Sequence, residues 1–148
     1  MNKLPVKFFI EASAKQAGAF IEAPKDGDAG FDLRSAENLI IQSGMQALVS
    51  TGLKAAIPKA WVGIVKDRSS MAVKQIRSHA GVIDASYRGE IKVLLSNAGD
   101  NDYQIQAGDK IAQLLILPYN SECMLVESEE DLGDTDRGAK GFGSTGKR

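Results

Sequence analysis

The chain has 148 residues, 43% of them hydrophobic, and a formal net charge of −1. This length fits one domain, and the balanced charge argues against a basic groove for duplex nucleic acid, so we expect no direct nucleic-acid binding. The only cysteine is Cys123 and the only histidine is His79, so one chain provides neither an internal disulfide nor a zinc site. We find no signal-like segment and no apolar run that would span a membrane, and we therefore expect a cytoplasmic protein without a membrane partner.

Short strands are predicted along most of the chain, because aliphatic and β-branched runs alternate with clusters of Gly, Asp, Asn and Pro. In chain order the predicted strands are 6–10, 39–42, 46–57, 61–65, 87–96, 110–117 and 123–126. The almost wholly apolar run 111–117 predicts a strand buried on both faces. One short helix is predicted over 69–74, with Ser69 as its N-cap. The pattern indicates an all-β sandwich, jelly roll or barrel.

The C-terminal segment differs in composition from the rest of the chain. Residues 127–136 include six acidic side chains, and residues 137–148 are basic and rich in glycine. Because so little apolar surface cannot offset the entropy of ordering, we predict a β domain at 1–127 and a flexible tail at 128–148. The tail carries groups that suit a phosphorylated ligand, although its composition alone favours a purely solubilising role.

Residues 141–146 match GxGxxG, and 141–147 match most of a phosphate-binding P-loop. Both motifs work by aiming a helix N-terminus at phosphate, and only two residues follow Gly146. We therefore predict neither a dinucleotide fold nor a P-loop here.

Five segments together resemble the homotrimeric dUTPases (deoxyuridine triphosphate nucleotidohydrolases). They are Ala-Gly-Phe-Asp-Leu at 29–33, Asp-Arg-Ser-Ser-Met-Ala at 67–72, Gly-Val-Ile-Asp-Ala-Ser-Tyr-Arg-Gly at 81–89, Gly-Asp-Lys-Ile-Ala-Gln at 108–113 and the glycine-rich segment 137–146. They occur in the order of the family and span most of the chain.

The resemblance implies a distorted jelly-roll or β-clip type barrel with one short helix, assembled as a homotrimer. Each active site would be shared between subunits. The first, second and fourth segments come from one subunit, the third from another, and the tail of the remaining subunit closes over the ligand.

The resemblance also implies hydrolysis of dUTP to dUMP and pyrophosphate, which keeps uracil out of DNA and supplies dUMP for thymidylate synthesis. Asp84 would activate the water that attacks the α-phosphorus in line. Tyr87 would pack on the deoxyribose and exclude a 2′-hydroxyl, and the backbone of 81–83 (Gly81, Val82 and Ile83) would read uracil. Judged from its neighbours alone, Asp84 would be better suited to a simple turn.

Phosphate contacts are implied for a second group of residues. Arg68 and Ser69 would bind phosphates, Ser70 would add a hydrogen bond, and Gln113 would reach the α-phosphate or the attacking water. Lys92 would line the nucleotide pocket. In the tail, Phe142 would stack on uracil next to Gly143, while the γ-phosphate would be clamped by Arg137, Ser144 and Thr145.

Mg²⁺ is the implied cofactor, chelated by the triphosphate with Asp32 nearby through water. The alternative for Asp32 is an ordinary structural hydrogen-bonding role.

Some positions depart from the family pattern. Asp67 replaces a proline, Ser70 replaces a glycine, and Lys140 replaces a common glycine. Ser78 stands where an asparagine often contacts the base or sugar. Asp67 would weaken phosphate binding unless its carboxylate points away from Arg68.

Two alternative functions stay open. A dCTP deaminase shares the fold and the Arg-Ser-Ser sequence, but its catalytic glutamate would align with Leu94. A catalytically silent nucleotide-binding regulatory trimer would be expected to have lost Asp84, Tyr87 or the tail segment, and all of them are present.

Overall fold

The computed structural model describes residues 5–139, which form an antiparallel β protein around one hydrophobic core. Within these residues there are eleven strands and two α-helices. The strands are β1 (Lys7–Ile10), β2 (Gly30–Arg34), β3 (Leu39–Ile41), β4 (Gln46–Val49), β5 (Leu53–Ala56), β6 (Trp61–Lys66), β7 (Ile76–His79), β8 (Val82–Ile83), β9 (Val93–Asn97), β10 (Tyr103–Ile105) and β11 (Lys110–Pro118). The helices are α1 (Ala12–Gln16) and α2 (Ser69–Val73), and a 3₁₀ turn follows at Glu129–Leu132. The all-β prediction is confirmed.

The strands pair in four antiparallel sheets. The largest has the order β2-β11-β6-β8, a second has the order β4-β9-β7, and two pairs are formed by β1 with β5 and by β3 with β10. Within residues 5–139 the sheets do not close into a barrel, which corrects that part of the expectation. Their ladders break because the strands are short and turns interrupt them, as between β4 and β5.

The core lies between these sheets and is built from aliphatic side chains of most of the strands. Leu33, Val49, Leu95 and Leu114 are each almost completely buried. β11 is central because it pairs with β2 on one side and β6 on the other. The pairing of β11 with β2 stops at Leu115 and Gly30. The end of β11 is therefore less buried, and Leu117 is 45% exposed.

Three strand predictions need correction. Residues 46–57 form two strands, because the chain turns at Gly52 with φ of +63°. In 87–96 the ladder begins only at Val93, although burial alternates from Glu90 onward as predicted. Residues 123–126 are irregular, and 123–125 are exposed, with Leu125 98% exposed. Four short strands, β2, β7, β8 and β10, were not predicted.

The predicted helix is present as α2, but Ser69 is its first residue and Arg68 occupies the N-cap position without a side-chain capping bond. The second helix, α1, was not predicted from the sequence. It has five residues, and its buried Ala14 packs closely on Gly52. Any side chain at position 52 would collide with Ala14. None of the helices in 5–139 has the length and apolar character needed to cross a membrane.

Candidate active site

A cavity of 590 Å³, here called the cationic cavity, opens where β2, β11 and the start of α2 meet. It brings together five residues predicted to bind substrate or metal: Asp32, Arg68, Ser69, Ser70 and Gln113. It also contains cations that the sequence analysis did not single out, including Arg34 and Lys110. Four cationic side chains line the cavity against three carboxylates (Glu22, Asp28 and Asp32). The cavity therefore has an excess of one positive charge and the hydroxyl donors that suit a phosphate chain.

Strand register explains why distant segments converge here. Gln113 on β11 lies opposite Asp32 on β2 and opposite Lys66 at the end of β6, immediately before Asp67 and Arg68. The Gln113 side chain donates from Nε2 to the Asp67 carbonyl at 2.8 Å. A Cβ on Gly30 would lie 2.7 Å from Gln113 Oε1, so a glycine is needed for this side chain to fit.

Asp32 joins two cations at the centre of the cavity. Its Oδ1 accepts from Arg68 Nε at 2.9 Å, and its Oδ2 lies 2.6 Å from Lys110 Nζ. Burial by itself would raise the pKa of Asp32, but Lys110 and Arg68 together hold it below its ordinary value. The carboxylate thus stays charged and keeps both cations in place while no ligand neutralises them.

Lys110 was missed because a strict period of two places it on the opposite face from Gln113. The register shifts between Lys110 and Ala112, and this irregularity turns the Lys110 side chain toward Asp32. Arg34 was missed too, although it shares the face of β2 that carries Gly30 and Asp32. Its guanidinium lies 4.0 Å from the centre of the Phe20 ring and donates to the Gly108 carbonyl at 2.8 Å.

The Asp67 carboxylate points away from the cationic cavity. Its Oδ1 accepts from the backbone N and the Oγ of Ser78, each at 2.6 Å, and Oδ2 lies 3.5 Å from Arg77. Burial raises its pKa, but the Ser78 and Arg77 donors outweigh this and lower it. Two of the four departures from the family pattern, Asp67 and Ser78, therefore bond to each other, and the Ser78 hydroxyl is engaged by Asp67.

A second cavity of 450 Å³, here called the hairpin cavity, contains the predicted catalytic residue. Its lining includes Val82, Ile83, Asp84, Tyr87 and Lys92, all predicted to contact the reacting nucleotide. The predicted residue Gly81 lies just before β8, where its carbonyl accepts from Val65 N at 2.8 Å.

Hydrogen bonds to backbone carbonyls close the turn that holds Asp84. The Asp84 carbonyl accepts from Tyr87 N at 3.0 Å, and the Arg88 side chain donates from Nη1 to the Ala85 carbonyl at 2.7 Å. Within residues 5–139 no hydrogen bond or ion pair involves the Asp84 carboxylate. Its carbonyl, rather than its side chain, closes the turn, so the carboxylate remains available to a water or a ligand.

The Tyr87 ring folds back over Gly89, and its hydroxyl donates to the Glu90 carbonyl at 2.9 Å. A Cβ on Gly89 would collide with that ring. Glycine is therefore required for the ring to lie on the backbone in this way.

The two cavities have no lining residue in common within the part of the chain that the structure describes. Of the predicted tail residues, Arg137 lies in an exposed turn after the 3₁₀ segment. Phe142, Gly143, Ser144 and Thr145, together with Lys140, lie outside the described residues.

Residues 5–139 contain no group of three or more His, Cys, Asp or Glu side chains able to hold a metal ion. The cationic cavity offers the Asp32 carboxylate and several hydroxyl groups instead. This donor set fits an ion held mainly by phosphate and water, and it does not fit a protein cage.

An antiparallel β fold with a cationic cavity and a separate turn that carries Asp84 and Tyr87 defines a class of protein: a small β protein with a site for an anionic ligand. Comparison with known proteins narrows this class. The family model described as dUTPase matches residues 17–146. The chain therefore belongs to the dUTPase family.

Individual relatives agree with this. The deoxyuridine 5′-triphosphate nucleotidohydrolase of Candida albicans is 48% identical over 120 residues, covering 80% of this chain and 76% of that protein. The structure of the Staphylococcus bacteriophage 80alpha dUTPase with dUpNHpp matches with a TM-score of 0.84 and 26% identity, covering 99% of both chains. A mutant dUTPase of phage phi11 of S. aureus, described with a structural Mg(II) ion, matches with a TM-score of 0.74 and 26% identity over 86% of this chain and 99% of that one. These likenesses confirm the jelly-roll type fold.

Proposed function

We propose that this protein hydrolyses dUTP to dUMP and pyrophosphate. The observation that carries the proposal is that one chain holds both a cationic cavity and an Asp84 carboxylate that no side chain or backbone group of residues 5–139 engages. Family membership and the dUTP analogue in the phage 80alpha structure support the same substrate. The predicted role in keeping uracil out of DNA follows from that reaction, and the cytoplasmic location stays a prediction.

The cationic cavity would bind the triphosphate. Arg68 offers a planar fork of donors, Lys110 a compact charge, and Ser69 and Ser70 hydroxyl donors. Gln113, fixed by the Asp67 carbonyl, would orient the α-phosphate or the water beside it. Stabilisation of charge on the departing pyrophosphate is the largest contribution such a site can make.

Asp84 would accept the proton of the attacking water. Attack on the α-phosphorus forms the new P–O bond of dUMP, while the bond to the bridging oxygen breaks and pyrophosphate leaves. Tyr87, held on Gly89, would pack on the sugar and leave no space for a 2′-hydroxyl. The backbone of 81–83 would complement the pairing edge of uracil and reject the 4-amino group of cytosine.

The separation of the two cavities supports a site shared between subunits of a homotrimer. Exposed apolar side chains also support a subunit interface. Val73 is 83% exposed, and Val82, in the lining of the hairpin cavity, is 65% exposed. A closed ring would cover such surfaces and place the cationic cavity of one subunit against the hairpin cavity of the next. The β domain 1–127 would form this ring, and the tail 128–148 of the third subunit would close over the ligand.

Mg²⁺ would enter with the triphosphate, and Asp32 would be its closest protein partner, through water. When bound, the ion would neutralise charge on the phosphate oxygens. The structural Mg(II) of the phage phi11 dUTPase is a property of that protein, but it agrees with a magnesium requirement here.

The test is pyrophosphate release from dUTP, dCTP, dTTP and UTP with Mg²⁺, with Asp84→Asn as the control. We expect release from dUTP alone and its loss in the variant. Binding of dUTP without turnover would favour the silent regulatory trimer, and ammonia release from dCTP would favour the deaminase.

A further inference from the structure

Glu90 lines the hairpin cavity together with Tyr87 and forms a dense set of contacts. Its Oε1 accepts from three donors of the turn between β4 and β5: Ser50 Oγ, Thr51 N at 3.1 Å and Gly52 N at 2.8 Å. Its Oε2 lies 3.7 Å from Lys92 Nζ, and only 21% of its side chain is exposed. One carboxylate thus ties the segment after Tyr87 to a turn about forty residues earlier in the chain.

The same residue holds the Tyr87 ring through its backbone. The Glu90 carbonyl accepts the Tyr87 hydroxyl at 2.9 Å, while the next residue, Ile91, donates to the Leu53 carbonyl at 2.7 Å. The Thr51 hydroxyl donates back to the Ile91 carbonyl at 2.5 Å. The ring, Glu90 and the β4–β5 turn therefore form one connected hydrogen-bonded unit.

The charge on Glu90 strengthens this unit. Burial would raise its pKa, but the Ser50 hydroxyl, the Gly52 and Thr51 amides and Lys92 lower it. A hydrogen bond to a charged acceptor is about twice as strong as one between neutral groups. Removing the carboxylate would leave several donors of the β4–β5 turn without an acceptor, which is costly.

We propose that Glu90 is a positioning residue that fixes Tyr87 and thereby sets the preference for 2′-deoxyribose over ribose. This rests on the proposed hydrolysis of dUTP. Glu90 lines the hairpin cavity with Asp84 and Tyr87, and we assign it no contact with the reacting phosphorus or the attacking water. It acts on the sugar end of the site, by holding the Tyr87 ring where it would meet a 2′-hydroxyl.

The test compares full-length wild type, Glu90→Gln, Tyr87→Phe and the double variant, with kcat and KM measured for dUTP and UTP. Glu90→Gln is close to isosteric but replaces the charge, and Tyr87→Phe keeps the ring but removes its link to Glu90. The matched control is Glu37→Gln. Glu37 accepts from Ser50 N at 2.7 Å on the same turn, and within the described residues it makes no hydrogen bond to 84–90.

We expect Glu90→Gln to raise the ratio of kcat/KM for UTP to that for dUTP about tenfold, while Glu37→Gln leaves it at the wild-type value. Tyr87→Phe should shift the ratio in the same direction, and the double variant should add little, because both changes break one unit.

An unchanged ratio in folded Glu90→Gln, or additive effects in the double variant, would overturn the proposal. If Glu90→Gln does not fold, an unchanged ratio in Tyr87→Phe would overturn it. A wild type that does not turn over dUTP would overturn the proposed function itself and this inference with it.

Discussion

The cationic cavity and the hairpin cavity are built in opposite ways. In the cationic cavity, Asp32 and Gln113 project from paired strands of the largest sheet, and Asp32 holds Arg68 and Lys110 in place while leaving one net positive charge among the three. In the hairpin cavity, Asp84 lies in a turn closed by backbone bonds, and its carboxylate is not engaged within residues 5–139. The difference indicates a division of labour: a rigid, positively charged support for binding phosphate, and a turn that presents a single reactive carboxylate.

The largest expected effect comes from the hairpin cavity. Asp84→Asn should lower the rate of pyrophosphate release by about 10²–10⁴-fold, because the amide cannot accept the proton of water. Binding of dUpNHpp should change little, since the charges that bind phosphate are in the other cavity. Calorimetric titration alongside the rate assay checks both, and a variant with weakened binding and normal kcat would contradict the division of labour.

A substitution in the cationic cavity should have the converse effect, a loss of affinity. Arg68→Gln should weaken dUpNHpp binding about ten- to a hundred-fold, because a charge-assisted contact to phosphate is lost. Lys54→Gln is a suitable control, since Lys54 pairs with Glu11 and lines neither cavity. If Arg68→Gln and the control bind dUpNHpp with equal affinity, the cationic cavity does not bind the phosphates.

Asp67 should affect stability more than affinity. Asp67→Ala should lower the free energy of unfolding by about 1–3 kcal/mol, because the half-buried Ser78 amide and hydroxyl both lose their acceptor. Denaturant unfolding measures this, and Arg77→Ala, which removes only the partner 3.5 Å away, should have a smaller effect. A strong loss of dUpNHpp affinity in Asp67→Ala would instead show that Asp67 faces the ligand.

The smallest effect is a pH dependence. The pKa of Asp67 is lower in the folded chain than its ordinary value of 3.8. The charged carboxylate therefore contributes to the free energy of unfolding above pH 3.8, and this contribution is lost as the pH falls through the folded pKa. The stability difference between wild type and Asp67→Asn should therefore be constant near neutral pH and shrink in acid. Urea unfolding across this range measures it, and a difference that grows in acid would contradict the sign.

The sequence predicted the fold class, five of the fifteen residues that line the cationic cavity and five of the eight that line the hairpin cavity, because the motif segments coincide with strand ends and turns. It failed where three-dimensional contacts override local pattern. Lys110 required a shift of strand register, and the Asp67–Ser78 pair required β7 to lie beside the end of β6. In the sequence, Glu90 is one of the polar residues that alternate with apolar ones in a predicted strand. Only the structure shows that its side chain binds the β4–β5 turn.

The shared site is the central claim, and subunit mixing tests it most directly. Asp84→Asn and Arg68→Gln chains, each weakly active alone, are unfolded together in equal amounts, refolded and assayed on dUTP. If the two cavities meet across a subunit boundary, random mixing should make about a quarter of the sites intact, and activity should rise well above either parent. Mixed oligomers that show no gain over the parents would place both cavities of each site on one chain and contradict the account.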